Sequence, residues 1–591
     1  MNLKKLIIIL FIFIAIPFVS GLEPEQIISN SADWQDVYST MLYSELTGKS
    51  SYFLVSSRHS TLLIGQLSKS QKNTWVISSE KNPYVVSYKP VLESKGFAVE
   101  EFEYSNVNLE MARKIENITN FIVLDDSYGY NAISVAPYAV LTDSYVLFAD
   151  RKNINLISNF LNTRQVESLL IYGQVDREVK ERLSVFSPET INNGDRFLDN
   201  QAIVDKYQEK HIEVYGEPKT QVILTNGEFI EQEILSGVEP VVFIGRANVP
   251  DQVREYIKNS DIEIGILIGN ELIGSATFIR RQLGISVFVK FAQSARTPSG
   301  PISAVEDLDR FYLPRYILSL DLYRVRYNKM NNQVYVTYQN NVALSSYLKG
   351  TITLRYEGET QTVGDSEPVF IDKNEYKTIV YDIDPVSAEQ IRAEVFTIYG
   401  ESRKSLEYTL RETVDVETVN ILDNSEIEIV NVRYDRRKGE FLIDIKNTGN
   451  VDVFVDLELV DILINDELRT FGPEEVSFIE KGEVETIMVE VEMAEEDFEN
   501  NPKVRLTAYY GERERNLVNV ISGEYDYSFT GFGYLTGRLI KDIGGSAVTF
   551  GPIIIILLLL ILIIGMKKKC PDCNEINSLR SKKCKRCGRE I

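Results

Sequence analysis

Cysteine and histidine are almost absent from this chain. Its 591 residues include four cysteines, all between positions 570 and 587, and two histidines, His59 and His211. The first 569 residues therefore have no disulfide framework, and their stability must come from sizeable hydrophobic cores. Two isolated histidines argue against a His-based metal centre or a Ser/His/Asp triad. The chain also lacks G-x-G-x-x-G, G-x4-G-K-[ST], H-E-x-x-H and G-x-S-x-G. The reading is a non-catalytic protein with no catalytic and no cofactor-binding residues assigned. Two distant carboxylates would suffice for glycoside hydrolysis, so an enzyme stays as a third reading.

Positive charge is also scarce. Lys and Arg number 63 against 86 Asp and Glu, for a net charge of -23. The leader and the tail are basic, so the long segment between them is more acidic than the whole. Such a surface repels polyanions, and no nucleic-acid partner is expected outside the cell.

Two long apolar runs stand out. Lys4-Lys5, the core Leu6 to Phe18 and Val19-Ser20-Gly21 have the layout of a cleaved signal peptide over 1–21. The run 543–566 is followed by Lys567-Lys568-Lys569. A bilayer-spanning helix needs roughly 20 apolar residues, and basic residues mark the cytoplasmic side. The expectation is a single-pass cell-membrane protein, N-terminus extracellular and C-terminus cytoplasmic.

The tail, 567–591, carries Cys570, Cys573, Cys584 and Cys587 in the spacing Cys-x2-Cys-x10-Cys-x2-Cys. Two such knuckles supply four thiolates in a tetrahedron, the arrangement zinc favours, and Gly588 follows the second pair. The tail resembles the short zinc ribbons of many microbial proteins. Four protein ligands leave no open position, so the expected zinc is structural. Its partner in the cytoplasm is open: anionic lipid, nucleic acid, a protein or none.

Buried-type strands alternate with helices in the N-terminal half. Val222 to Thr225, Pro240 to Gly245 and Ile264 to Gly269 read as strands of a parallel sheet covered on both faces. The same order occurs earlier, in Phe121 to Leu124, Tyr145 to Phe148 and Leu169 to Gly173, which makes an internal repeat over 106–190 and 191–297. The segment 22–105, with Tyr52 to Val55 and Thr74 to Ser78 as strands, is either a degenerate third repeat or a cap. Gly129, Gly173, Gly245 and Gly269 read as tight turns at strand ends. Asp125, Asp126, Asn226 and Glu228 lie at strand carboxyl ends, the default ligand crevice of such sheets, where helix capping is an equally economical role. Arg280-Arg281 read as a solvated helix face, and Asn117-Ile118-Thr119 is an N-glycosylation sequon in a loop.

Gly194-Asp195-Arg196-Phe197 with Ala202-Ile203, the small-residue helix Ala132 to Ala139, the strand Val241 to Phe243, and Tyr172-Gly173-Gln174-Val175 together resemble the cell-wall-binding repeat 2 modules. The match departs from them in having a single glycine after the last strand, and the first unit lacks the opening motif. The resemblance implies Rossmann-like modules that occur in threes on surface proteins, and hence attachment to or assembly of the envelope.

After Pro298 to Pro301 the pattern turns to alternation, as in Tyr335 to Tyr338 and Thr351 to Tyr356. Phe370 to Ile379 matches Phe478 to Ile487, and Phe396 to Glu401 matches Thr507 to Glu512. The spacing is about 110 residues, the size of one immunoglobulin-like sandwich. Two sandwiches are expected, over 310–415 and 425–525, with a glycine-rich juxtamembrane linker over 526–542. Ile445 to Val451 resembles the turn of cell-adhesion-related bacterial sandwich domains, which implies a stalk of spacer modules.

The fold class is therefore multidomain, α/β plus all-β: tandem Rossmann-like parallel-sheet repeats, two sandwiches, one transmembrane helix and a small zinc ribbon. The expected role is an architectural, adhesion or envelope-assembly protein of a prokaryotic, archaeal-style surface, with an envelope polymer, a glycan or surface proteins as partners. The alternative is a receptor that binds a solute or glycan at the strand ends.

Overall fold

The computed structural model describes residues 23–269, 272, 280, 281, 283–290, 308–314, 317–464, 467–530, 567–573, 575–578 and 581–590. Its N-terminal part is three α/β units of one design. The first comprises β1 (Gln26–Asn30), α1 (Trp34–Leu46), β2 (Ser50–Phe53), α2 (His59–Gln66), β3 (Asn73–Ser79), α3 (Lys89–Glu93) and β4 (Ala98–Tyr104). The second runs α4 (Val107–Lys114), β5 (Asn120–Leu124), α5 (Gly129–Leu141), β6 (Ser144–Phe148), α6 (Ile154–Leu161), β7 (Ser168–Tyr172), α7 (Arg177–Leu183) and β8 (Glu189–Ile191). The third contains α8 (Arg196–Tyr215), β9 (Gln221–Thr225), β10 (Phe229–Glu231), α9 (Gln232–Leu235), β11 (Val241–Phe243), α10 (Asp251–Asn259), β12 (Ile264–Ile268) and β13 (Ser286–Lys290).

The three sheets are parallel, ordered β2-β1-β3-β4, β6-β5-β7-β8 and β11-β9-β12-β13. Strand order thus reverses beside the first strand of each sheet, and this switch point opens a crevice at the strand carboxyl ends. The segment 23–104 has the same sheet order as the other two units, so it is a repeat and not a cap. One hydrophobic core runs through all three units, from Ile27 to Leu313.

β14 (Arg310–Tyr312) pairs antiparallel with β10. The sequence reading placed it in the first sandwich, but Arg310 is buried against Glu231 and belongs with the α/β body.

The first sandwich has β15 (Leu320–Asn328), β16 (Gln333–Asn340), β17 (Ser346–Tyr356), β18 (Glu359–Gly364), β19 (Val369–Ile371), β20 (Tyr376–Asp382), β21 (Arg392–Gly400), β22 (Tyr408–Asp415) and β23 (Glu417–Val419). The second has β24 (Ile427–Asp435), β25 (Glu440–Asn447), β26 (Val453–Ile464), β27 (Glu467–Phe471), β28 (Ser477–Ile479), β29 (Val484–Glu490), α11 (Glu495–Asn500), β30 (Val504–Gly511), β31 (Asn519–Tyr525) and β32 (Ser528–Thr530).

The sheets β20-β16-β15-β23 and β18-β17-β21-β22 correspond strand for strand to β29-β25-β24-β32 and β27-β26-β30-β31. Each sandwich carries a register shift early in its first strand, between Leu322 and Arg324 and between Ile429 and Asn431. Each is closed by a short strand parallel to the first, β23 or β32, so residues 528–530 belong to the sandwich and not to a linker. Asn340 and Asn447 hold equivalent turns: Asn447 Nδ2 donates to Val451 O (2.8 Å) and Ile479 O (3.1 Å), and Asn340 Nδ2 to Leu344 O (2.7 Å) and Asp372 O (2.9 Å).

The expected single-pass localisation is corrected. Among the described residues no helix is long and apolar enough to cross a membrane. The run 543–566 that suggested a transmembrane helix, and the leader 1–21, lie outside the described residues. Apolar length specifies hydropathy and not a helix, so the orientation inferred from it falls with it.

Candidate functional site

The three bodies meet at the segment that opens the third unit. Asp195 caps α8: its Oδ1 accepts from Phe197 N (2.9 Å) and Leu198 N (3.1 Å), satisfying donors at the helix start. The same oxygen accepts from Gln252 Nε2 at 2.8 Å. Its Oδ2 accepts from Ser402 Oγ (2.8 Å) and from Ser405 Oγ, both in the first sandwich.

Arg196 follows. Its guanidinium donates to Glu407 and lies 3.4 Å from Glu401, and it stacks on Phe197 and Tyr130 at 4.7 and 5.2 Å. Burial opposes the Arg196 charge, but Glu407 and Glu401 outweigh it and keep the group protonated. Burial pushes the Glu407 carboxyl up to about 7, with Arg196 pulling the other way.

The second sandwich also reaches the α/β body. Arg177, at the start of α7, donates to Asp497 Oδ2 at 2.8 Å and lies 3.2 Å from Glu496, both in α11. The sandwiches are joined to each other by Lys377 with Asp456 and Glu458, and by Arg403 with Asp461 at 3.1 Å. The two sandwiches therefore do not form an extended stalk. The chain returns on itself, and each of the three bodies is bound to the other two by ion pairs.

These contacts enclose a cleft of about 590 Å³ at the strand carboxyl ends of the second unit. Tyr128 and Gln174 contribute from that unit, Asp199 from α8, Tyr347 and Arg403 from the first sandwich, and Arg469 from the second. Asp199 Oδ1 accepts from Asn193 N (2.6 Å) and Asn193 Nδ2 (2.9 Å), and burial pushes its carboxyl up to about 7. Gly173 lies at the cleft with φ 73°, where a Cβ would sit 2.5 Å from Asn131 Nδ2, so the turn that shapes this wall requires glycine. A second cavity of about 210 Å³ adjoins it past Arg196, bounded by Glu228 and Glu407.

Of the four strand-end residues singled out in the sequence, Glu228 lines the smaller of these two cavities, and it accepts from Arg246 Nη2 at 2.6 Å. Asp125 Oδ1 accepts from Ser127 N and Asn226 Oδ1 from Glu228 N, the local turn bonds of capping-type residues. Burial raises the pKa of both Asp125 and Asp126. Gly129 is the first residue of α5, not a turn. The two histidines serve separate local roles. His59 Nδ1 accepts from Val55 N at 3.3 Å, and His211 Nδ1 lies 2.7 Å from Glu217 O. Arg280, Arg281 and Asn117 are exposed, the last in the turn before β5.

Sequence reasoning missed Glu401, Glu407, Ser402 and Ser405. The one available signal was Gly400-Glu401, which repeats as Gly511-Glu512. In the second sandwich that glutamate accepts from Asn424 N, so its bond stays within one sandwich.

In the tail, β33 (Lys567–Lys569) pairs antiparallel with β34 (Ile576–Ser578). This brings together Cys570, Cys573, Cys584 and Cys587, whose sulfurs lie within 4.8 Å of one another, a group that could hold a metal ion. Gly588 has φ 75° and donates to Cys584 O at 3.0 Å, and Cys584 Sγ accepts from Arg586 N at 3.4 Å. Backbone N–H groups of Cys587 and Arg586 pull the Cys584 thiol down to about 6, toward the thiolate a metal requires.

No family model matches the chain, and no curated protein matches it. Among solved structures, Cwp8 from Clostridium difficile is similar over 45% of this chain at 13% identity and a TM-score of 0.36; the match spans 48% of Cwp8, about half its length. The periplasmic chaperone SfaE is similar over 36% of this chain and 100% of its own, at 11% identity and a TM-score of 0.13. Likenesses this distant carry no functional argument.

Proposed function

We propose that this is a non-catalytic surface protein with an architectural, adhesion or envelope-assembly role. Its α/β trio and two sandwiches act as one braced body. The observation that carries the reading is the Arg196 clamp. Asp195 and Arg196 open the segment that resembles an envelope-binding motif, and both side chains are engaged in fixing the third unit to the first sandwich. Asp195, Arg403 and Arg469, which also face the cleft, are held in a helix cap and in ion pairs, which suits a rigid binding surface better than proton transfer. We further take the metal of the four-cysteine group to be zinc in a structural role, since four thiolates complete its tetrahedron.

The test uses residues 23–530, with mass in solution followed against concentration and retention measured on envelope fractions stripped of the native protein. Assembly or retention supports the reading, and a strict monomer that ignores envelope material contradicts it. A second reading, a receptor for a solute or glycan, is favoured by the 590 Å³ cleft alone. Saturable thermal stabilisation by a small ligand without envelope retention would select it.

A further inference from the structure

Lys377 lies on β20, on the face of the first sandwich that the second covers. Its side chain is 4% exposed, with Nζ 2.8 Å from Asp456 Oδ2 and 2.6 Å from Glu458 Oε1. Both acids come from β26, and the ring centre of Tyr509 in β30 lies 3.7 Å from the same nitrogen. Asp372 and Glu375 flank the group from the first sandwich. Burial pushes the Glu375 carboxyl well above the carboxylate range, so it stays neutral and leaves the ammonium to the two acids of β26.

A buried ion pair recovers its desolvation cost poorly, and apolar residues of similar volume would join the sandwiches as well. The lysine is also specific to this junction. In the repeat that aligns Phe370 to Ile379 with Phe478 to Ile487, its counterpart is Glu485, which is exposed. An amine is thus held against a carboxyl group in a site closed to water, at the one of the two equivalent positions that is covered.

We propose that Lys377 and Asp456 form an intramolecular amide bond that ties the two sandwiches together covalently, with Glu458 carrying the proton. In the resting pair Asp456 and Glu458 keep the ammonium protonated against the effect of burial, so reaction begins when one proton passes from Nζ to Asp456 Oδ2. That transfer removes two opposite charges from a water-excluded site. The free amine attacks Asp456 Cγ, and Glu458 takes a second proton from the nitrogen and returns it to Oδ2, which leaves as water. One N–C bond forms and one C–O bond breaks, no atom is oxidised or reduced, and the net charge of the three side chains is unchanged. Fixed proximity drives the step, since well-oriented groups reach effective molarities of roughly 10⁵–10⁸ M. Exclusion of water protects the product.

Peptide mapping of the full chain by tandem mass spectrometry tests this. A protease cutting after Lys and Arg should leave Lys377 uncut and yield one branched species. Its mass should equal that of the two parent peptides less one water, and fragmentation should place the junction at Lys377 and Asp456. Lys377→Arg, which retains the charge, and Asp456→Ala should abolish the species. Glu458→Gln keeps both partners and should leave them at least tenfold less cross-linked. Cleavage after Lys377 in the wild-type chain, together with an Asp456 peptide of unmodified mass, would overturn the proposal, however the variants fold. A branched species that persists in Lys377→Arg would overturn it as well.

Discussion

Asn200 stands in the third unit where Asn108 stands in the second. Each is buried on the unit's opening helix, and each donates from Nδ2 to a serine of the preceding unit: Asn108 to Ser39 at 3.0 Å, Asn200 to Ser134 at 2.7 Å. Each also closes the end of a strand in its own unit. Asn108 donates to Val146 O and accepts from Phe148 N, and Asn200 donates to Val241 O and accepts from Phe243 N. One side chain thus satisfies two backbone groups and links successive units, along which one hydrophobic cluster extends.

Asn200→Ala should therefore destabilise the α/β body as a whole. It leaves the buried Phe243 N and Val241 O without the partners Asn200 supplies, at about 1–3 kcal/mol for each unsatisfied group. Thermal unfolding of wild type and variant measures the loss. A change within error would show that the latch is dispensable.

Arg196→Ala should separate the first sandwich from the third unit. Glu407 would be left buried without its cation, a defect worth about 3–5 kcal/mol when one partner of a buried pair is removed. Limited proteolysis should then cut between residues 308 and 320 in the variant and spare the wild type. Arg196→Lys should fall between the two, because lysine cannot reproduce the fork that reaches both Glu401 and Glu407.

Stability should fall as pH rises through neutrality. Burial first of all holds Asp36 up to about 6 and Asp199 and Glu407 up to about 7, against ordinary values of 3.8, 3.8 and 4.5. The folded chain thus binds more protons than the unfolded one between those limits. Their contribution is fully present below about pH 4 and is lost as pH rises through 6 and 7. Melting temperature should be higher at pH 5.5 than at pH 8, and Asp199→Asn should flatten the dependence. A melting temperature that rises across that interval would contradict the assigned burial.

The tail should bind one zinc per chain, and Cys584→Ser should abolish binding. Elemental analysis of the purified chain before and after a chelator measures it. Because the site is read as structural, chelation should leave the melting of residues 23–530 unchanged.

Much of the architecture is readable from local pattern. β9, β11 and β12 are short apolar runs, the repeat of Phe370 at Phe478 marks two sandwiches, and the cysteine spacing alone predicts the tail cluster. The first unit is obscured because its strands bury polar residues. β1 has all five residues buried, three of them polar, and Gln26 Nε2 and Asn30 Nδ2 donate to Thr74 Oγ1 at 3.0 Å and Ser78 Oγ at 2.8 Å on the neighbouring strand. Such strands do not read as apolar runs, although the amides of Gln26 and Asn30 each reach across to the next strand.

Apart from the Gly400-Glu401 repeat, the junctions left no local trace. Arg196 and Glu407 are more than two hundred residues apart in sequence, and Lys377 falls in an alternating strand where a lysine reads as solvated. Only the tertiary arrangement makes these charges internal. The stalk inferred from sandwich-like repeats failed for the same reason, since nothing near Arg177 announces Asp497.

Small-angle X-ray scattering of residues 23–530 in solution tests the braced body most directly. A single compact particle, with a pair-distance distribution of one maximum that broadens in a variant carrying both Arg177→Ala and Arg196→Ala, is the result predicted here. A multi-peaked, extended profile for the wild type, unchanged by those substitutions, would show independent beads on a string and contradict the account.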